Sequence, residues 1–110
     1  METKETTDRP WSLPQAHLLA KTLRAMAHPI RLSIIYLLEE GNRKTVTELY
    51  TELDSDQSAI SHHLSIMKDR GILASEREGK YSYYFLANTE LLHILDYLQG
   101  IHKEERYALT

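Results

Sequence analysis

The apolar residues of this chain change their spacing at Gly71, from a helical period to a strand-like alternation. Beyond it, residues 72–77 and 81–86 flank Glu78-Gly79-Lys80, and the second run is rich in aromatic side chains that favour strands. A glycine in the connection is typical of a tight turn. The sequence therefore predicts one β-hairpin with helical segments on both sides.

Five segments with helical spacing surround the predicted hairpin. Apolar residues recur every three to four positions over residues 15–27, 30–40, 46–53 and 57–70, and again from residue 89 onward. The polar turn Asp54-Ser55-Asp56 offers N-cap residues to the fourth helix, as a helix-turn-helix requires. The predicted fold is mainly α with a small β-hairpin, a winged helix-turn-helix in the order α-α-α-α-β-β-α.

The length of 110 residues suits one domain. Residues 1–10 are polar and charged without an apolar period, which predicts a disordered N-terminal arm followed by a folded domain over residues 11–110. No apolar run approaches the roughly 18 residues of a membrane span, and the N-terminus does not resemble a signal peptide. We therefore expect a cytoplasmic protein without membrane contact.

Cysteine is absent from the sequence, which excludes disulfides, thiolate metal sites, thiol redox sensing and cysteine nucleophiles. There is no glycine-rich phosphate loop and no nucleophile–base spacing above chance, so we predict that the protein is not an enzyme. The net charge of −3 counts against a nucleic-acid partner. Residues 56–85 hold four acidic and four basic side chains, so charge alone does not indicate DNA.

The fourth helix separates into an apolar side and a small polar face. Ile60, Leu64 and Met67 share the apolar side, which predicts that they pack inward. The polar face, called the reading face here, suits base edges and phosphates in a major groove, although a solvated helix surface has the same composition. Two cations near the hairpin turn can reach flanking phosphates. The DNA-contact candidates are Gln57, Ser58, Ser61, His62, Ser65, Arg77 and Lys80.

Three blocks in sequence order resemble one known family. The segments LRAMAHPIRL (23–32), QSAISHHL (57–64) and KDRGIL (68–73) are similar to the helix junction, reading helix and wing entrance of ArsR/SmtB-type winged-helix repressors. The resemblance spans roughly residues 19–101. It implies a homodimer that binds double-stranded DNA at an inverted repeat and represses transcription, with release by a ligand that is often a metal ion.

The last helix carries a broad apolar stripe, formed by Leu91, Ile94, Leu95, Leu98 and Ile101. One small domain is not expected to cover a stripe of this width, so part of it should pack against a second copy. The resemblance places the first helix in the same interface, where Leu19 and Leu23 are the candidates.

The sequence also lacks the metal-binding residues of the resembled family. Its cysteine site falls on residues 45–49, which read TVTEL here. His102 and Glu105 match half of a second site, but Thr89 and Leu91 stand where the other ligands belong. We therefore predict no metal and no cofactor. Two alternatives remain: a metal-responsive repressor with a non-cysteine site on the last helix, and a winged-helix module for protein–protein contact.

We predict a different role for each of three other histidines. His62 is expected to face outward toward DNA, while His63 borders the buried stripe of Ile60 and Leu64 and should be packed and hydrogen-bonded. His28 precedes a proline at a helix junction, where a structural role is expected.

Overall fold

The computed structural model describes residues 11–102 and Glu105, and the predicted N-terminal arm lies outside the described residues. The element order is that of a winged helix-turn-helix, so the predicted fold class is confirmed. In chain order the elements are α1 (Leu13–Met26), α2 (Pro29–Leu37), a 3-10 turn (Glu39–Gly41), α3 (Val46–Glu52), α4 (Gln57–Asp69), β1 (Leu73–Glu78), β2 (Tyr81–Leu86) and α5 (Leu91–Ile101).

Side-chain caps set the first residues of α1 and α3. The Gln15 backbone N–H donates to Ser12 Oγ at 3.3 Å, and the Ser12 N–H donates to Gln15 Oε1 at 2.7 Å. Thr45 and Glu48 form the same reciprocal pair at the start of α3. Each pair satisfies two backbone donors that a helix terminus leaves free. The cap at Ser12 starts α1 two residues before the predicted position.

The second helix ends earlier than predicted. It stops at Leu37 instead of residue 40, and a 3-10 turn over Glu39–Gly41 follows. Glu40 and Gly41 have φ values of 59° and 77°, in the left-handed region. A left-handed residue cannot continue a right-handed α-helix, and apolar spacing carries no signal of this change.

A hydrogen-bonded cap at Gly71 turns α4 into the hairpin. The Gly71 N–H donates to the Lys68 carbonyl at 3.0 Å, and the Ile72 N–H donates to the Met67 carbonyl at 2.9 Å. These two bonds form a Schellman motif, and the φ of 76° at Gly71 suits glycine. Because the Ile72 N–H belongs to this cap, β1 runs over residues 73–78, one residue later than predicted.

The two strands pair antiparallel, from Leu73 opposite Leu86 to Glu78 opposite Tyr81. Gly79 and Lys80 therefore form the two-residue turn, with Gly79 at a φ of 63°. Backbone bonds in both directions, of 3.1 and 2.8 Å, join Lys44 to Tyr84 on the outer edge of β2. The segment before α3 is thereby fixed to the hairpin.

The core lies where α2, α4, β1 and α5 meet. Ile34, Ile35 and Leu38 of the second helical segment have no exposed surface, which confirms its predicted central position. The core is entirely apolar among the described residues, and its buried members are Ala25, Met26, Ile34, Ile35, Leu38, Leu49, Ile60, Leu64, Met67, Ile72, Leu73, Leu86 and Leu95. In the described part of the chain, no helix is both long and apolar enough to span a membrane.

Candidate nucleic-acid interface

The reading face lies on the solvent side of α4. Asp56 caps the helix, since its Oδ1 accepts from the Ala59 N–H at 2.7 Å. From Gln57 to Ser65 the helix rises about 12 Å, close to the width of a B-DNA major groove. All five predicted side chains on this face are exposed: Gln57, Ser58, Ser61, His62 and Ser65.

The opposite side of α4 is anchored in the core. Ile60, Leu64 and Met67 have no exposed surface, as predicted. Their burial fixes the rotation of α4 about its own axis, because turning the helix would expose all three side chains to water. The reading face is therefore held outward by packing.

The two predicted cations of the hairpin lie at its tip and are exposed. Arg77 Nε donates to the Gly79 carbonyl at 3.2 Å, which holds the guanidinium beside the turn. The Lys80 ammonium lies 5.7 Å from the centre of the Tyr81 ring. Neither cation forms an ion pair with a described residue, so both charges remain available to a phosphate.

Arg43 changes the charge balance of the hairpin, and sequence reasoning missed it. Its Nη2 lies 3.0 Å from Glu78 Oε2 and 3.3 Å from Glu76 Oε1. The guanidinium also lies over the Tyr83 ring, 5.0 Å from its centre. The two carboxylates of the hairpin, called the wing from here on, are therefore partly neutralised by a cation from outside residues 56–85.

A histidine–arginine contact joins the inner edge of α4 to α2. Arg31 Nε donates to His63 Nδ1 at 3.0 Å, so His63 is packed and hydrogen-bonded as predicted. Burial lowers the pKa of His63 below its ordinary value of 6.5, and the positive charges of His28, Arg31 and His62 lower it further. A neutral imidazole suits its acceptor role.

His28 has the structural role expected of it. Its Nδ1 accepts from the Ile30 N–H at 3.1 Å and caps α2, and its ring centre lies 4.5 Å from that of His63. His62, in contrast, is exposed on the reading face. His28 and His63 therefore contact each other where α2 packs against α4, whereas His62 faces solvent.

An apolar groove of about 760 Å³ opens between α1, α2 and α5. Leu23 of α1 and Ile94 and Leu98 of α5 line it, with exposed fractions of 50%, 55% and 46%. Leu19 and Ile101 are exposed too, and each lies about one helical turn from a residue that lines the groove. We call these five residues the apolar face.

The predicted stripe on α5 is divided between two environments. Leu95 is buried in the protein's own core, and Leu91 is partly buried against it. Ile94, Leu98 and Ile101 remain exposed. The surface left for a second copy is therefore narrower than the sequence indicated. Leu95 and Leu91, which were predicted in the interface, pack instead against the protein's own core.

The two weak metal candidates contact each other at the end of α5. His102 Nδ1 lies 2.5 Å from Glu105 Oε1, and both side chains are exposed. Over residues 11–102 and Glu105, no group of three His, Cys, Asp or Glu side chains is arranged to hold a metal ion.

Comparisons with known proteins place this architecture in a family. Residues 28–75 match the family model described as "Bacterial regulatory protein, arsR family". The chain is 32% identical over 109 residues to the HTH-type transcriptional regulator NmtR of Mycobacterium tuberculosis, covering 99% of this chain and 88% of that protein. The chain belongs to the ArsR family. The predicted resemblance is confirmed.

Two solved structures share the fold of this ArsR-family chain. The crystal structure of NolR from Sinorhizobium fredii matches with a TM-score of 0.75 at 30% identity, covering 86% of this chain and 96% of that one. A homodimeric winged helix-turn-helix DNA-binding domain from Mycobacterium bovis has the same fold, with a TM-score of 0.75 at 23% identity and 87% and 88% of the chains covered. This ArsR-family protein is a DNA-binding transcriptional regulator.

Proposed function

We propose that this protein is a non-enzymatic repressor that binds an inverted DNA repeat as a homodimer in the cytoplasm. The observation that carries the proposal is the reading face, whose five exposed side chains include no carboxylate. A helix held outward in this way, beside two free wing cations, matches the geometry of a major-groove reader. Residues Gln57, Ser58, Ser61, His62, Ser65, Arg77 and Lys80 are its proposed DNA contacts.

The apolar face supports the dimer. Its five side chains are exposed on two helices that border one groove: Leu19, Leu23, Ile94, Leu98 and Ile101. A second copy can cover them with the same surface around a two-fold axis. Two reading helices related by that axis would engage half-sites about 34 Å apart.

Selection from sheared genomic DNA tests the proposed function directly. Purified protein is incubated with the fragments at two salt concentrations, and bound DNA is sequenced. We expect recovery of fragments that share an inverted repeat with half-site centres about one helical turn apart. Random fragments of equal length provide the non-specific reference.

Uniform recovery of genomic DNA, with no sequence preferred over the reference, would contradict the repressor and favour a module for protein–protein contact. Reporter transcription from a recovered fragment then separates repression from activation. Repression is expected, because a dimer bound to promoter DNA blocks the access of RNA polymerase to that DNA.

Metal addition is expected to leave DNA binding unchanged, because this chain offers too few ligands for a tight site. His102 and Glu105 supply two ligands from one helix, while tetrahedral zinc requires about four. We expect zinc, nickel and cobalt to alter operator affinity by no more than about twofold, since a ligand shifts an equilibrium only by its differential affinity for two states.

Fluorescence anisotropy with labelled operator, with each metal and with chelator, measures this. A loss of tenfold or more on adding one metal, abolished by His102→Ala, would establish the alternative of a metal-responsive repressor with a non-cysteine site.

A further inference from the structure

A second groove, on the other side of α1, collects positive charge. It has a volume of about 420 Å³ and lies between α1, α2 and the C-terminal end of α4. We call it the basic groove, and its lining residues are Lys21, Arg24, Ala25, Arg31, Ile66, Asp69 and Arg70. Four cations surround one carboxylate, although the chain as a whole has a net charge of −3.

Arg31 forms a fixed wall of the basic groove. Its Nε donates to His63, and its Nη1 donates to the Ala25 carbonyl at 3.2 Å near the end of α1. These bonds hold the half-buried guanidinium in one orientation without neutralising its charge. A cation fixed in advance loses little conformational freedom when an anion binds.

The other three cations remain free. Lys21, Arg24 and Arg70 are exposed, and none forms an ion pair or side-chain hydrogen bond with a described residue. Their mutual repulsion has no compensating partner in the groove except Asp69. A bound anion would remove that repulsion and gain from all four cations.

We propose that the basic groove binds a backbone phosphate of the DNA that α4 reads, which rests on the proposed function. From Ser61 to Arg70 the helix rises about 13 Å, slightly more than the width of the major groove. When the N-terminal half of α4 lies among base edges, its C-terminal end reaches the phosphate edge of the groove. Asp69 lines the basic groove and lies one helical turn beyond Ser65 and two turns beyond His62, on the same side of α4 as the reading face.

The cations on α1 lie away from the apolar face, so phosphate binding can be tested separately from dimerisation. Lys21 and Arg24 lie on one side of α1, while Leu19 and Leu23 lie about 100–160° around the helix on the other. Removing the two cations therefore leaves the apolar face intact. Folding and association can be checked on the same variants.

The test compares Lys21→Gln/Arg24→Gln with the charge-preserving Lys21→Arg/Arg24→Lys. Operator and random-sequence DNA are titrated with full-length protein from 50 to 300 mM salt. We expect the neutral variant to bind both DNAs about tenfold more weakly. The salt slope of the dimer should fall by about two, because each of the two grooves loses one phosphate contact. The charge-preserving variant should retain most of the affinity and slope.

Asp69→Asn is expected to change DNA affinity in the opposite direction. Its carboxylate opposes a phosphate in the basic groove, so its removal should tighten binding to both DNAs severalfold. His93→Glu lowers the net charge by one on an exposed part of α5 and serves as the control for overall charge. We expect it to change affinity by less than about twofold.

Operators with single neutral methylphosphonate linkages identify the contacted phosphate. One position at the edge of each half-site should weaken the wild type and have no further effect on Lys21→Gln/Arg24→Gln. If that variant keeps its operator specificity, its DNA affinity and its salt slope, the phosphate site in the basic groove is refuted and the proposed function still stands. Weaker binding without a slope change, or with lost dimers in sedimentation, would also overturn it.

A wild type that shows no operator preference would refute the proposed function itself. Inorganic phosphate could bind the basic groove while no methylphosphonate position distinguishes the wild type from Lys21→Gln/Arg24→Gln. That result would identify a small-anion site and would likewise overturn the proposal.

Discussion

Leu98→Asp is expected to convert the protein into a folded monomer that no longer binds its operator tightly. Leu98 is 46% exposed on the apolar face, so an aspartate there remains hydrated in a single chain. In the dimer the two-fold axis would bury this charge twice without a partner, at a cost of several kcal/mol. We expect a dimer dissociation constant raised by roughly a thousandfold, which corresponds to about 4 kcal/mol.

Analytical ultracentrifugation at micromolar protein measures this shift, and circular dichroism confirms the fold. His93→Asp is the matched control, since His93 lies on the polar side of α5, about 140° from Leu98. A wild type that sediments as a monomer, or a Leu98→Asp protein that stays dimeric, would refute the interface on the apolar face.

Ser61→Glu is expected to abolish operator recognition while fold and dimer remain intact. Ser61 is exposed in the N-terminal half of α4, and a carboxylate there would enter a groove walled by phosphates. Like-charge contacts across an interface cost several kcal/mol, and the dimer carries two of them. We expect a loss of at least about a hundredfold in operator affinity.

Lys80→Ala provides the contrast for Ser61→Glu in the same anisotropy assay. Lys80 lies in the hairpin turn without an ion pair among the described residues, so its loss should weaken operator and random DNA by similar factors. Thermal unfolding should change little for Ser61→Glu, because surface substitutions shift stability by about 0.5 kcal/mol or less. Operator binding by Ser61→Glu within fivefold of wild type would remove α4 from the recognition surface.

Apolar spacing predicted the helices and the inward face of α4, whereas the hairpin prediction also needed its aromatic run and its turn glycine. Ile60, Leu64 and Met67 recur on one side of a helix, and that recurrence was sufficient to orient the reading face. The same spacing could not divide the stripe on α5. Leu95 and Leu98 lie only about 60° apart around the helix, and whether each faces its own core depends on how α5 packs.

Charge was the least predictable property of the site. Arg43 reaches Glu76 and Glu78 across more than thirty residues of sequence, so a count over one segment could not include it. The basic groove likewise joins α1 and α2 to the end of α4. Local charge counts describe a segment, whereas the field at a surface depends on which segments the fold brings together.

The backbone bridge between Lys44 and Tyr84 lowers the entropic cost of DNA binding by the wing. It ties the strand beside the hairpin turn to the start of the helix-turn-helix, so wing and reading helix form one mechanical unit. The conformational entropy of the wing backbone is lost during folding, before any DNA is met. Contacts made at the wing tip can therefore contribute to residence time on the operator instead of offsetting a disorder-to-order transition.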